Sequence, residues 1–91
     1  MPQLIPILTI NGSDGACVVG VQADIRTISA LGGYALAAIT SVTTQNENGE
    51  TSINDLSSEM IIGQVRAIVK ETHQKVVKIG LVRDASTVKM V

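Results

Sequence analysis

Leu4-Ile5-Pro6-Ile7-Leu8-Thr9-Ile10-Asn11-Gly12-Ser13-Asp14-Gly15 passes from a short apolar, β-branched run straight into a cluster of turn-forming residues. The run from Leu4 to Ile10 has the length and branching of a strand, with Pro6 tolerated near its start or at a sheet edge. Asn11 to Gly15 is expected to form a tight turn. From Val21 the pattern changes to helical spacing: Val21, Ile25 and Ile28 share a face, while Gln22, Arg26 and Ser29 point elsewhere. Gly32-Gly33 ends that helix, because glycine accepts a left-handed backbone without a Cβ clash. Strand, loop and helix in this order are the opening of an α/β fold.

The rest of the chain repeats the alternation. Tyr34 to Thr44 reads as a second, buried strand, followed by the polar loop Gln45-Asn46-Glu47-Asn48-Gly49-Glu50. Thr51 to Ile53 suits a brief extended piece. Ser57 or Ser58 then caps a helix running to about Thr72, with Ile61, Val65, Ile68, Val69 and Thr72 as its apolar stripe. Lys70 and His73 complement the negative end of its dipole. Val76 to Val82 is a third strand, and Ala85 onward opens another helix. Alternating strands and helices, joined by right-handed crossovers, predict a parallel sheet with helices on its faces. The sequence ends at Lys89-Met90-Val91 without a polar tail or helix stop signal, an ending that reads as an interruption.

Composition narrows the function classes. The 91 residues fit one small domain at most. Tyr34 is the single aromatic and the net charge is −1, so neither stacking rings nor a basic surplus is available to bind nucleic acid. Six of the seven Lys and Arg residues follow Val65, but they are spread over a helix, a strand and a loop, as solvated faces are. Cys17 is the only cysteine, which excludes an intrachain disulfide. No spacing of Cys17, His73 and carboxylates suggests a metal site. Met1-Pro2-Gln3 does not resemble a signal peptide, and no apolar run approaches the roughly 20 residues of a membrane span. The expected location is the cytoplasm.

Candidate chemistry gathers after the strands, where open parallel sheets bind ligands. The loop carries Gly12, Asp14 and Gly15, with Gly20 at the helix start, but its spacing fits neither a dinucleotide fingerprint nor a phosphate loop. By spacing alone it is either an ordinary turn or a ligand loop, and the ordinary turn is favoured. Asp24 falls in the first turn of its helix, where a carboxylate gains from the dipole whether or not it binds anything. Gln45-Asn46 follows a buried strand, where an amide can pair with a heteroaromatic edge or simply face solvent. His73 reads as a surface residue complementing the dipole. Cys17 is read as a small packed residue before a reactive thiol.

Five segments in this order resemble the hydroxymethylpyrimidine and phosphomethylpyrimidine kinases of thiamine biosynthesis, members of the ribokinase-like superfamily. They are Leu8-Thr9-Ile10-Asn11-Gly12-Ser13-Asp14, Gly20-Val21-Gln22-Ala23-Asp24, Ser29-Ala30-Leu31-Gly32-Gly33-Tyr34, Ile39-Thr40-Ser41-Val42-Thr43-Thr44-Gln45-Asn46 and Lys78-Ile79-Gly80-Leu81-Val82. The resemblance covers the first third or so of a typical member, so residues 1–91 would be the amino-terminal part of one kinase domain. It implies a three-layer α/β/α sandwich with a mostly parallel sheet, incomplete in this chain. It also implies transfer of phosphate from ATP, with Mg2+, to the hydroxymethyl group of 4-amino-5-hydroxymethyl-2-methylpyrimidine and then to its monophosphate.

By position in the family pattern, Asp24 would bond the hydroxymethyl group and Gln45 would read the aminopyrimidine edge. The Thr43 backbone would contact the ring, Gly12 would line the pocket floor and Leu81 would pack on the ring. The family's nucleotide site and the Gly-rich segment with its catalytic Asp belong to the carboxyl-terminal half, so no catalytic residue is assigned here. The loop also departs from the family's run of Gly, Ser and Ala, reading Gly15-Ala16-Cys17-Val18-Val19. Val19 is expected to narrow the pyrimidine pocket, since a β-branched side chain adds bulk and excludes positive φ.

The expectation is thus a kinase fragment inactive by itself. A missing carboxyl-terminal half or further copies of the chain would cover its open edges. Three alternatives stand beside it: a non-catalytic pyrimidine-binding or kinase-partner module, a fragment of a pyridoxine or pyridoxal kinase, and a remnant without function.

Overall fold

The computed structural model describes residues 4–72 and 76–82 of the chain. Their order is β1 (Ile5–Asp14), α1 (Gly20–Ala30), β2 (Gly33–Gln45), β3 (Thr51–Asp55), α2 (Ser58–Glu71) and β4 (Val76–Ile79). The four strands form one sheet in the order β3-β2-β1-β4. β1 pairs parallel with both β2 and β4, and β3 runs antiparallel to β2. The sheet is therefore parallel at its centre with one antiparallel edge strand. That edge is a hairpin, turned by Asn46 and Gly49. The Asn46 side-chain oxygen accepts from the Asn48 and Glu50 amides at 2.9 and 3.0 Å, and Gly49 takes φ +78°.

The period-2 alternation of β1 decides which helix lies on which face. Leu8 and Ile10 form a buried cluster with Ala38, and Leu36, Val65, Ile68 and Val82 pack against it, so this face belongs to α2. Thr9 and Asn11 bond to Asp24 on the opposite face, which belongs to α1. Helices thus cover both faces, giving the three-layer α/β/α arrangement. α2 is fastened to the sheet by Gln64, whose amide accepts from the Ile39 N–H and donates to the Ile39 carbonyl, both at 2.8 Å. Ser57 caps that helix, its hydroxyl accepting from the Met60 amide at 3.1 Å.

Several boundaries differ from the sequence reading. β1 does not stop at Ile10 but runs to Asp14, because β2 is long enough to keep pairing: Ser13 meets Val42 and Asp14 meets Thr43, after an irregularity at Gly12. The turn is thereby displaced to the residues after Asp14. Pro6 lies in a strand paired on both sides, yet one residue before the β4 ladder begins at Ile7. The third strand is shorter than Val76 to Val82. After Ile79 the Gly80 amide still donates to the Ile10 carbonyl at 2.7 Å, and side chains then take over the backbone of Leu81.

Two apolar stripes also differ. In α2 the buried residues are Ile61 and Ile62, while Val69 is about half exposed. In α1 Ile25 is exposed and Asp24 turns toward the sheet beside buried Val21. His73 and the helix expected from Ala85 lie outside the described residues.

Candidate functional site: a cleft at the carboxyl ends of the strands

A cleft of about 430 Å³ opens where β1 runs into the loop before α1. Gly12, Val19, Asp24, Thr43 and Leu81 all line it, together with Asn11 and Lys78. Gln45 does not. It is exposed at the end of β2 and lines an adjoining hollow that shares Asp14 and Thr43 with the cleft. Thr43 and Gln45 are two apart on one strand, so their side chains share a face.

Asp24 is the most elaborately held side chain in the cleft. The helix starts at Gly20, which puts Asp24 in the second turn, not the first, and replaces dipole stabilisation by direct partners. Its Oδ2 accepts from the Thr9 hydroxyl at 2.6 Å, from the Asn11 amide at 3.1 Å and from Lys78 at 2.9 Å. Its Oδ1 accepts from Lys78 at 3.0 Å. The parallel register explains the convergence. Thr9 pairs with Lys78, so both point to the α1 face, and Asn11 follows two residues later on that face. Partial burial pushes the Asp24 carboxyl up, but the hydrogen bonds from Thr9, Asn11 and Lys78 and the Lys78 charge outweigh it. The group is held below its ordinary value.

Asn11 joins this cluster to the far wall. Its carboxamide oxygen accepts from the Gly12 and Leu81 amides, both at 2.8 Å, which leaves its NH2 to face Asp24. The Leu81 carbonyl in turn accepts from the Thr40 hydroxyl at 2.6 Å. Clamped at both backbone groups, Leu81 holds its side chain against the cleft, with Cδ2 3.6 Å from where a Gly12 Cβ would stand. Gly12 keeps the floor open. Gly80 is equally constrained, since a Cβ there would overlap the Asn11 carboxamide.

The loop is organised by Asp14. Its carboxylate accepts from the Ala16 amide at 3.2 Å and from the Val18 and Val19 amides at 3.3 Å each. Val19, the N-cap residue, makes no side-chain cap, and the Asp14 carboxylate lies just ahead of the positive end of α1. Gln22 does not point away as its spacing suggested. Its amide accepts from the Asp14 N–H at 2.9 Å and donates to the Ser13 hydroxyl at 2.6 Å. The positive φ angles fall on Cys17 (62°) and Gly20 (81°), and Val19 is extended at φ −135°. The β-branched residue at 19 therefore sits without backbone strain, exposed at the cleft mouth. Cys17 is half-buried, its thiol 3.7 Å from the Gly15 carbonyl.

Sequence reasoning missed Thr9, Asn11, Gln22 and Lys78. One signal was available: Asp24 stands three residues after Val21 and four before Ile28, inside an apolar stripe where a carboxylate requires partners. Among the described residues no group of three or more His, Cys, Asp or Glu could hold a metal ion. The Asp14 carboxylate occupies the loop amides of Ala16, Val18 and Val19, just before α1. Among the described residues, the charged groups lining the cleft are Asp14, Asp24 and Lys78, and no step is derived through ATP or Mg2+. No helix among the described residues is long and apolar enough to cross a membrane.

An α/β/α layering with a cleft at the strand ends defines the class of open, mostly parallel α/β folds, and comparison with known proteins narrows it. The family model for phosphomethylpyrimidine kinase matches residues 14–91. A hydroxymethylpyrimidine/phosphomethylpyrimidine kinase of Rhizobium meliloti is 42% identical over 81 residues, covering 89% of this chain and 30% of that protein. The crystal structure of a phosphomethylpyrimidine kinase from Clostridium difficile superposes with a TM-score of 0.84 at 38% identity, covering 94% of this chain and 37% of the other. A Staphylococcus aureus pyridoxal kinase in complex with AMP-PCP and pyridoxal gives a TM-score of 0.88 at 25% identity, covering 96% and 33%. The chain belongs to the phosphomethylpyrimidine kinase family. It spans about a third of the length of the curated relatives it matches.

Proposed function

We propose that this chain forms the acceptor-binding part of a hydroxymethylpyrimidine/phosphomethylpyrimidine kinase and is catalytically silent alone. The observation that carries the reading is the convergence of Gly12, Asp24, Thr43 and Leu81 on one cleft at the carboxyl ends of the strands. A flat aminopyrimidine needs apolar walls and a few directed hydrogen bonds. Leu81 and Val19 supply walls, Gly12 an open floor, and Asp24 an ionised acceptor for the hydroxymethyl O–H. Gln45, next door, reads the ring edge once a ligand spans the shared Thr43 boundary. Val19 narrows the mouth.

Phosphoryl transfer depends on positioning and on charge stabilisation at the moving phosphoryl group. An anion hole of free backbone N–H groups at a helix start is the usual device. Here the loop amides beside the cleft, those of Ala16, Val18 and Val19, are bonded to the Asp14 carboxylate. The chain spans about a third of its curated relatives, and in this reading ATP, Mg2+ and the residues that act on them belong to the remainder of the enzyme.

A second reading, recognition of pyridoxal, is favoured by the likeness to a pyridoxal kinase holding that ligand. Calorimetric titration of the chain with 4-amino-5-hydroxymethyl-2-methylpyrimidine and with pyridoxal separates the two. Saturable heat with the pyrimidine and weaker heat with pyridoxal is expected. The reverse order moves the substrate class, and heat with neither removes the binding role.

A further inference from the structure

Lys78 is the described cation in the cleft wall, and its position is fixed by register. Its ammonium bonds both oxygens of Asp24, at 3.0 and 2.9 Å. Of the two, Oδ2 is saturated by Thr9, Asn11 and Lys78, whereas Oδ1 has only Lys78 among the described residues. A carboxylate oxygen can accept two hydrogen bonds, so Oδ1 retains capacity and Oδ2 does not. The Asn11 amide cannot rotate to offer its oxygen to Asp24, because that oxygen is occupied by two backbone N–H groups.

We propose that Lys78 is a positioning and specificity-determining residue: with Thr9 and Asn11 it fixes the orientation of the Asp24 carboxylate so that Oδ1 is the oxygen left with room for a ligand. Asp24 then selects ligands that donate a hydrogen bond, such as a hydroxymethyl group, and rejects analogues with a methyl in that place. The choice of hydroxymethylpyrimidine as donor rests on the function proposed above; the role of Lys78 toward Asp24 does not. Among the described residues, the ionisable groups bearing on Asp24 are few. β4 contributes Lys78, the end of β1 contributes Asp14 across the cleft, and the β1 residues in direct contact, Thr9 and Asn11, do not titrate. The crevice behind Asp24, between α1 and β4, adds Ile7, Thr27 and Ile28 and no further charge.

The test has two arms, read on the 91-residue chain. Carbon-13 NMR titration of the Asp24 carboxyl is expected to give a midpoint below the ordinary range in the wild type and in Lys78→Arg, and a raised midpoint in Lys78→Met. An unmoved midpoint in Lys78→Met overturns the proposal. Should that variant lose its dispersed spectrum, the wild-type midpoint at low and high salt decides instead: a rise on screening supports the proposal, and no rise overturns it.

The second arm compares the hydroxymethylpyrimidine with its 5-methyl analogue by calorimetry. Losing the contact that orients the Asp24 carboxylate should cut the preference for the hydroxymethyl compound about tenfold in Lys78→Met, and Lys78→Arg should restore it. An unchanged preference overturns the selection. If the wild type binds neither pyrimidine, the proposed function fails while the NMR arm still decides what Lys78 does to Asp24.

Discussion

Cys17 and Gly20 carry the loop's positive φ angles, and only one of them is a glycine. A non-glycine residue in the left-handed region costs about 1–3 kcal/mol, so Cys17→Gly relieves strain that the fold otherwise holds. Chemical denaturation is expected to show Cys17→Gly as neutral or stabilising by about 1 kcal/mol. Gly20→Ala should do the opposite, since its Cβ would run into the Gly12 carbonyl oxygen as well as impose strain. A loss of about 2 kcal/mol or more is expected. Equal effects from the two substitutions would contradict this account of the loop. Asp24 gives a pH dependence with a definite sign. Its folded carboxyl lies below the ordinary value, so its stabilisation is complete above the unfolded value of about 4 and is lost as pH falls through the lowered folded value. The stability difference between wild type and Asp24→Asn should therefore be flat at neutral pH and shrink on acidification below about 4. A difference that grew on acidification would reverse the assignment.

At the scale of elements, α2 is held by packing and by one amide. Gln64 satisfies both backbone groups of Ile39, and removing its side chain strands a donor and an acceptor. Gln64→Ala is expected to lower stability by about 1–3 kcal/mol, measured by thermal unfolding, whereas Gln64→Glu keeps the acceptor and loses the donor and should fall between. Both changes leaving the melt unaltered would mean that α2 docks by its apolar face alone. Element order and type were legible because periodicity changes from 2 to 3.6 at the turn clusters. The antiparallel setting of β3 was not, since Thr51 to Ile53 is too short to carry a pattern. The limits of β1 were misread because Asn11 and Gly12 favour turns locally, while the long partner strand β2 holds them extended. The cleft was legible in part. Glycines and the Asp stood out, but Thr9, Asn11 and Lys78 are ordinary strand residues until register sets them side by side, and register is not written in either strand alone.

At the scale of the molecule, coverage is uneven. Leu8, Ile10 and Ala38 are buried between α2 and the sheet, yet Val76, Val77 and Ile79 on β4 are 47, 50 and 54% exposed. β4 pairs on one side only among the described strands, and an apolar open edge invites pairing with another chain. Analytical ultracentrifugation of the isolated polypeptide is expected to show concentration-dependent association, and a lysine at Val77 should weaken it. A monomer at all concentrations would mean that this edge is covered by residues of the same chain. The described residues present a cleft at the carboxyl ends of the strands, in a chain that spans about a third of the length of its curated relatives. The most direct test is phosphorus NMR of the purified chain mixed with 4-amino-5-hydroxymethyl-2-methylpyrimidine and magnesium ATP. Unchanged ATP signals with no phosphomonoester, from protein that binds the pyrimidine by calorimetry, is the predicted result. A phosphomonoester signal growing as ATP is consumed would contradict it.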